Sequence, residues 1–242
     1  MIETHDLFTH GGNSEIYRVN PTEKRVYPRA DLVRLASNYG DEMYGLRTFC
    51  SMRLGGLLYP QNFIGVEAYR PKRIDQKKNP LQNLLMAIAE NLTSANLDAV
   101  WGNRSAIYSR LANVPPAHAV YTRHVKRREP DNCATCREHE LFHKEHHLAK
   151  RAAGFAKQTA AAGITIPAGD ITDYCLDPAT NQPVFFEVDR IDPDIMEAYL
   201  LKKQKDKKMI ANEQVALNYL HKCRFLFDSI DYTRFPNTII AE

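Results

Sequence analysis

The chain has 242 residues, 44% of them apolar and 25% charged, which suits an ordinary soluble globular protein with one large core or two small ones. Thirty-two Lys and Arg stand against 29 Asp and Glu, and this balance gives no overall indication of a nucleic-acid partner. Met1 is followed by Glu3 and Asp6 instead of the apolar core of a secretory leader, and no run is long enough to span a bilayer, so the expectation is a cytoplasmic protein with no membrane partner.

In chain order, "GGNSEIYRVN" (11–20) leads from a glycine pair into an alternation of β-branched and aromatic residues, then a turn at "NPTEK" and a second apolar stretch, "RVY". That order predicts a Gly-led hairpin. Between Asp31 and Arg53 the apolar residues Leu32, Leu35, Tyr39, Met43, Leu46 and Phe49 fall at helical spacing, predicting two helical pieces broken near Gly40. "NFIGVEAYR" (62–70) reads as a strand. "LQNLLMAIAENL" and "LDAVWGNRSAIYSRLA" read as two amphipathic helices that end before Pro115 and Pro116. "AHAVYTRHV" (117–125) reads as another strand, and its continuation mixes Tyr121, His124, Lys126, Arg127 and Arg128 in a way an acidic partner can use. A helix is expected from about Arg137 to Ala162, with Leu141, Leu148, Ala152, Phe155 and Thr159 on one face and Gly163 ending it. "ITIPAGDITDYCLD", the turn "PATNQP" and "VFFEVDRID" then predict strand, hairpin and strand. The tail from Met196 to Phe227 is again helical, interrupted by the charge run "KKQKDKK".

Two regions carry candidate chemistry. The first is "DNCATCREHELFHKEHHLAK" (131–150). Zinc favours thiolate and imidazole in a tetrahedral set, and Cys133 and Cys136 have the spacing of a zinc knuckle. On a helix starting near Arg137, His139 and His143 lie one turn apart, as do His143 and His147, so a structural Zn²⁺ clip from Cys133, Cys136, His139 and His143 is geometrically reasonable. The same residues contain His-Glu-x-x-His, which in a zinc peptidase would make His139 and His143 ligands and Glu140 the general base. The charged neighbours Arg137, Glu138, Lys144 and Glu145 and the competing cysteines count against the peptidase. A solvated helix with no metal is the third reading. Cys50, Cys175 and Cys223 are far apart in sequence and suit buried thiols.

The second region is distributed over both ends. Phosphoryl transfer needs a backbone cradle for phosphates, a cation, a carboxylate near the nucleophile and a carboxylate on Mg²⁺. "GGNSEIYRV" resembles a shortened Gly-rich loop, and "AGDITDYC" followed by "FFEVDRID" resembles a catalytic loop, hairpin and metal-binding strand. Together, over residues 10–70 and 118–195, the layout resembles the protein kinase-like fold in a divergent form. The resemblance implies an α+β, two-lobed arrangement: a small N-terminal hairpin-rich lobe over 1–70, a helical insertion over 71–116 and a larger, mainly helical part over 117–242. It implies ATP with Mg²⁺ as cofactor, Gly11 and Gly12 beside phosphate, Glu42 on the small-lobe helix, Asp170 as catalytic base and Asp189 as metal ligand. The family's phosphate-binding Lys is absent from "RVYPRAD", leaving Arg29 or Lys24 in its place. Ala168 stands where a His is usual and Cys175 where the second metal-binding Asn is usual, so the chain is either a phosphotransferase acting on a protein or small molecule, or a pseudokinase. A noncatalytic zinc-clipped interaction module is the alternative from a different class. Glu187, Asp189 and Asp192 place three acids near one strand end in any case.

Overall fold

The computed structural model describes residues 7–10, 14–36, 42–70, 106–110, 145–167, 174–177, 180 and 182–228. They form an α+β structure built around an antiparallel sheet. Its strands are β1 (Leu7–His10), β2 (Ser14–Arg18), β3 (Leu32–Ala36), β4 (Val66–Arg70) and β5 (Ala106–Ser109), in the order β1-β2-β3-β5-β4. The hairpin expected from residues 11–20, the turn "NPTEK" and "RVY" is not formed; β2 instead pairs with the preceding β1, with His10 opposite Glu15, and the connection holding Gly11 and Gly12 lies outside the described residues.

Between β2 and β3 the expected turn and second strand are instead a short helix, α1 (Pro21–Val26). Asn20 accepts from the Glu23 backbone N–H at 2.8 Å and the Glu23 carboxylate returns to the Asn20 N–H at 3.2 Å, a reciprocal cap that satisfies two helix-end donors. Pro21 fits the first turn, where its missing N–H costs nothing. The helix covers one face of the sheet: Tyr27 stacks on Tyr108 at 4.0 Å, and the Tyr108 hydroxyl donates to the fully buried Glu23 at 3.0 Å. Burial, then the adjacent Glu23 carboxylate, raises the Tyr108 pKa, so the phenol stays a donor.

The segment expected as a first helical piece after Asp31 is strand β3. Leu32 and Leu35 have a helical interval, but Leu32, Val33 and Leu35 are all buried because both faces of β3 are covered. Val33 and Leu35 join Tyr27, Ala68 and Tyr108 in the α1-side core, while Leu32 joins Ile16 and Ile107 in the core on the other face. Residues 106–109, expected within an amphipathic helix, are likewise strand: β5 lies between β3 and β4, and all four of its residues are buried. A strand covered on both faces loses the alternation that would identify it.

The second face of the sheet packs on α2 (Glu42–Leu58), which contacts β4 and β5 on one side and α5 (Ala211–Cys223) and α6 (Phe225–Asp228) on the other. This position explains why α2 is apolar over so much of its circumference, with Leu46, Phe49, Cys50 and Leu54 fully buried. Arg47 lies inside the same packing and donates to the Leu226 carbonyl at 2.9 Å. Gly55 admits Phe63: a Cβ there would come within 3.2 Å of the ring.

Helix α3 (Glu145–Ala160) matches the helix expected before Gly163, and Ala152 and Thr159 of its predicted face are buried. Gly163 ends it at φ 77°, and a side chain there would meet the Asp192 carbonyl at 2.6 Å. Strand β6 (Ile164–Thr165) pairs with β9 (Arg190–Ile191), and β7 (Tyr174–Leu176) forms the predicted hairpin with β8 (Pro183–Phe185). Asp177 is buried at the hairpin turn, where its carboxylate accepts from the Thr180 hydroxyl at 2.7 Å. Helix α4 (Pro193–Lys205), capped by Asp192, leads to α5. Lys203 on α4 pairs with the buried Glu213 on α5, and Arg224 joins Asp194, Glu197 and Asp228, which fixes the helical tail as a unit. Among the described residues no helix is long and apolar enough to cross a membrane.

Candidate ligand cleft and acidic segment

The hairpin β7–β8 docks against the sheet through the segment before β4. The Phe185 N–H donates to the Asn62 carbonyl at 2.8 Å, the Ile64 N–H returns to the Phe185 carbonyl at 3.2 Å, and the Asn62 amide reaches Pro183 O at 3.0 Å. Around these bonds Phe63, Phe155, Tyr174 and Phe185 form a connected aromatic cluster with centroids 5.0–6.1 Å apart. Backbone pairing and ring packing together set where the next residues, Phe186 to Asp189, leave the hairpin.

Those residues meet β3. Leu32 and Arg34 share the face that carries Ile16 and Ile107, and Arg34 lies directly opposite both isoleucines in the register of its neighbouring strands. Its guanidinium therefore sits in an apolar surrounding, 9% exposed, and needs acceptors. Two come from the hairpin's exit: Nη1 donates to the Phe186 carbonyl at 3.0 Å, and Nη2 donates to Glu187 Oε2 at 2.8 Å. This charge-assisted contact ties the sheet, across 153 positions of sequence, to the acidic segment between β8 and β9, which interrupts the single strand expected over "VFFEVDRID".

Beside the guanidinium is a cleft bounded by Ile16, Leu32, Met52, Ile64, Ile107 and Phe186, with Arg34 and Ser109 as polar groups. Its cavity volume is about 20 Å³, room for about one water molecule. Its lining is an apolar body with few polar anchors, and any ligand larger than a water needs the lining side chains to move.

Asp189 stands two residues beyond Glu187, with its N–H bonded to Thr165 O at 3.0 Å, so β6 fixes its backbone. Its carboxyl reaches solvent, yet partial desolvation, and then repulsion from the Glu187 carboxylate, push its pKa up to about 6. The sign of the resulting pH dependence follows. The folded state binds this proton more tightly than the unfolded chain, so the carboxyl costs stability as pH rises from the ordinary carboxylate value through 6. Asp189→Asn is expected to stabilise the protein at pH 7 without divalent cations, by about 1 kcal/mol after solvent screening, and to lose that advantage below pH 4. Thermal unfolding of both proteins across pH 3.5–8 checks this; a pH-independent difference would contradict it.

The other sequence-predicted residues divide as follows. Lys24 is committed elsewhere: its ammonium donates to Ala30 O at 2.7 Å and pairs with Asp31 at 2.8 Å, closing the loop from α1 to β3. Arg29 is exposed in that same loop. Among the described residues, a cation that the structure brings to the acidic segment is Arg34, which the sequence reading missed. The capping-box pattern Asn20-Pro-Thr-Glu23 was the available signal, because it moves the third strand past Arg29. Glu42 opens α2, the helix packed under the sheet. Asp192 caps α4, its carboxylate accepting the Ile195 N–H at 3.1 Å. Cys175 lies on β7. Gly11, Gly12, Cys133, Cys136, His139, Glu140, His143, Ala168 and Asp170 lie outside the described residues. Among the described residues no three His, Cys, Asp or Glu side chains gather as a metal-holding group.

Comparison with protein-family models, with curated proteins and with solved structures finds no match to this chain.

Proposed function

We propose that the chain is a divergent kinase-like protein that binds a nucleotide with Mg²⁺ and transfers phosphate to a protein or small-molecule acceptor. The observation that carries the reading is the Arg34–Glu187 contact at 2.8 Å, which brings a cation on the third strand of an antiparallel sheet to the segment between β8 and β9 that bears Asp189. In protein kinases a Lys on the third strand neutralises phosphate, and an Asp following a hairpin holds the metal. Further support comes from the chain order around it: a two-strand hairpin with Gly11 and Gly12 between its strands, a helix packed under the sheet, and the β6–β9 and β7–β8 pairs flanking the acidic residues.

In this reading the lining side chains part so that the cleft takes the nucleotide base, and Arg34 meets phosphate oxygens with a planar, permanently charged fork where the family uses a flexible ammonium. Asp189 supplies one carboxylate ligand to Mg²⁺, whose remaining oxygens come from phosphate and water. Asp170, three residues after Pro167, orients the acceptor hydroxyl.

Calorimetric titration with ATP and MgCl₂ tests binding. The wild type is expected to bind and to gain about 2.7 kcal/mol of stability at a hundredfold excess over Kd. Asp189→Ala should lose the Mg²⁺-dependent part, while Asp170→Ala keeps binding and loses phosphate transfer. Absence of binding by the wild type, or binding indifferent to Asp189→Ala, would overturn the reading.

A further inference from the structure

We propose that the α4–α5 hairpin is a docking surface for an anionic lipid bilayer, its lysines meeting the acidic headgroups and its exposed aliphatic side chains entering the boundary just beneath them. The inference goes beyond the nucleotide reading and does not depend on it.

The two helices form an antiparallel pair whose inner sides are committed to the fold. Lys203 pairs with Glu213, Glu197 with His221 and Asp194 with Arg224, so residue numbers fall along one helix as they rise along the other. Met196, Leu200, Ala216, Leu217 and Leu220 are buried in the core. The outer sides differ in kind. Of the five large apolar side chains exposed among the described residues, four belong to this hairpin: Ile195, Leu201, Ile210 and Val215. On α4 the exposed Ile195, Ala198, Lys202 and Lys205 follow at intervals of three and four, one stripe along the helix with Leu201 beside it. On α5 the exposed Ala211, Val215 and Lys222 repeat at intervals of four and seven, and Ile210, which opens that helix, is 59% exposed.

Positive charge gathers at the turn. Lys202, Lys205, Lys207 and Lys208 are exposed there against Asp206, four cations to one anion, while Lys203 and Glu213 neutralise each other. At the far end Asp194, Glu197 and Asp228 surround Arg224, so the excess is confined to the turn. The kind of side chain selects the partner. Lysine is a compact charge without the planar fork that grips a single phosphate, and the exposed positions of the hairpin hold no Arg, Phe, Tyr or Trp. A base therefore finds no stacking platform, and a protein partner finds none of the anchors that dominate protein interfaces. An acidic bilayer uses both classes that are present, lysines near the charged surface and aliphatic groups at the headgroup–acyl boundary. The expectation of no membrane partner rests on the lack of a spanning segment, which surface attachment does not require.

Co-sedimentation of the full chain with vesicles tests the surface, using phosphatidylcholine alone and phosphatidylcholine with about one-third phosphatidylserine. The proteins are the wild type, Lys205→Glu/Lys208→Glu and Leu201→Gln/Ile210→Ser. All four positions are exposed and lie outside the Lys203–Glu213 pair, and Ser is a favoured residue at the helix start that Ile210 occupies. Thermal unfolding checks each variant, and one that unfolds early is replaced by its two single substitutions. The wild type is expected to bind the acidic vesicles at least about tenfold more strongly than the neutral ones and to be released by added salt, and each double variant should bind them about tenfold more weakly. No binding of acidic vesicles by the wild type, equal binding to both kinds, or variants that bind as the wild type does would overturn the proposal. Loss in the lysine variant alone, with polyuridylate RNA competing as well as lipid, would assign the lysines to polyanions in general and overturn the lipid surface.

Discussion

Phe185→Ala is expected to destabilise the protein by about 3–5 kcal/mol, the range for deleting a buried aromatic ring and leaving a cavity. Phe185 is fully buried and sits at the centre of the cluster that joins three parts of the fold: Phe63 from the segment before β4, Phe155 from α3 and Tyr174 from the partner strand of the hairpin. Its neighbours come from elements far apart in sequence, so the site cannot collapse by moving one loop. Phe185→Leu, which retains most of the volume, should cost about 1–1.5 kcal/mol. Denaturant unfolding of the three proteins measures the series. The substitution also reaches function, because the backbone of Phe185 docks the hairpin on Asn62 and Ile64 and the next residues carry Phe186 and Glu187 to Arg34. Loosening the ring should therefore weaken any ligand held in the cleft, even under conditions where the variant is fully folded. A cost below 1 kcal/mol would mean that the ring does not carry the junction.

Why that junction was only half legible in the sequence follows from where its information sits. The hairpin half is local: "DPATNQP" supplies an Asp that bonds within its own turn, and the flanking apolar residues read as strands without tertiary knowledge. Gly163 is local too, since a helix followed by Ile-Thr-Ile needs a residue that tolerates a left-handed conformation. The sheet half is not. In β3 and β5 apolar residues face both ways, so Leu32 and Leu35 imitate helical spacing and "AIYS" disappears inside an apparently amphipathic run. Arg34 was hidden by its charge, because an arginine between apolar residues reads as the solvent side of an element. Only the fold brings Phe186 and Glu187 to it. The acidic residues themselves were visible as a group, but their division of labour was not: Glu187 on an arginine, Asp189 exposed with its backbone bonded to β6, and Asp192 spent on capping α4.

Arg34→Met should show how much of the molecule depends on that division. Removing one partner of a buried ion pair leaves the other desolvated without compensation, and costs reach about 3–5 kcal/mol when both groups are fully enclosed. Glu187 retains a solvent route, which places the expected loss nearer 2–3 kcal/mol, in addition to the Phe186 carbonyl bond that Met cannot replace. Glu187→Met alone, which removes an acceptor from the guanidinium, should cost about 1–2 kcal/mol. Arg34→Met/Glu187→Met, which replaces the pair with apolar side chains among Ile16, Leu32 and Ile107, should recover most of the Arg34→Met loss, with a coupling of about 1–3 kcal/mol measured by denaturant unfolding of all four proteins. A coupling near zero would mean that the contact at 2.8 Å is incidental to the fold. The double apolar variant then separates architecture from ligand chemistry. An apolar pair satisfies the packing between sheet and hairpin as well as an ionic one does, but it presents no donor to a phosphate. A stable protein that has lost MgATP binding would therefore assign the charge of Arg34 to the ligand, whereas retained binding would show that the cleft recognises the nucleotide without it.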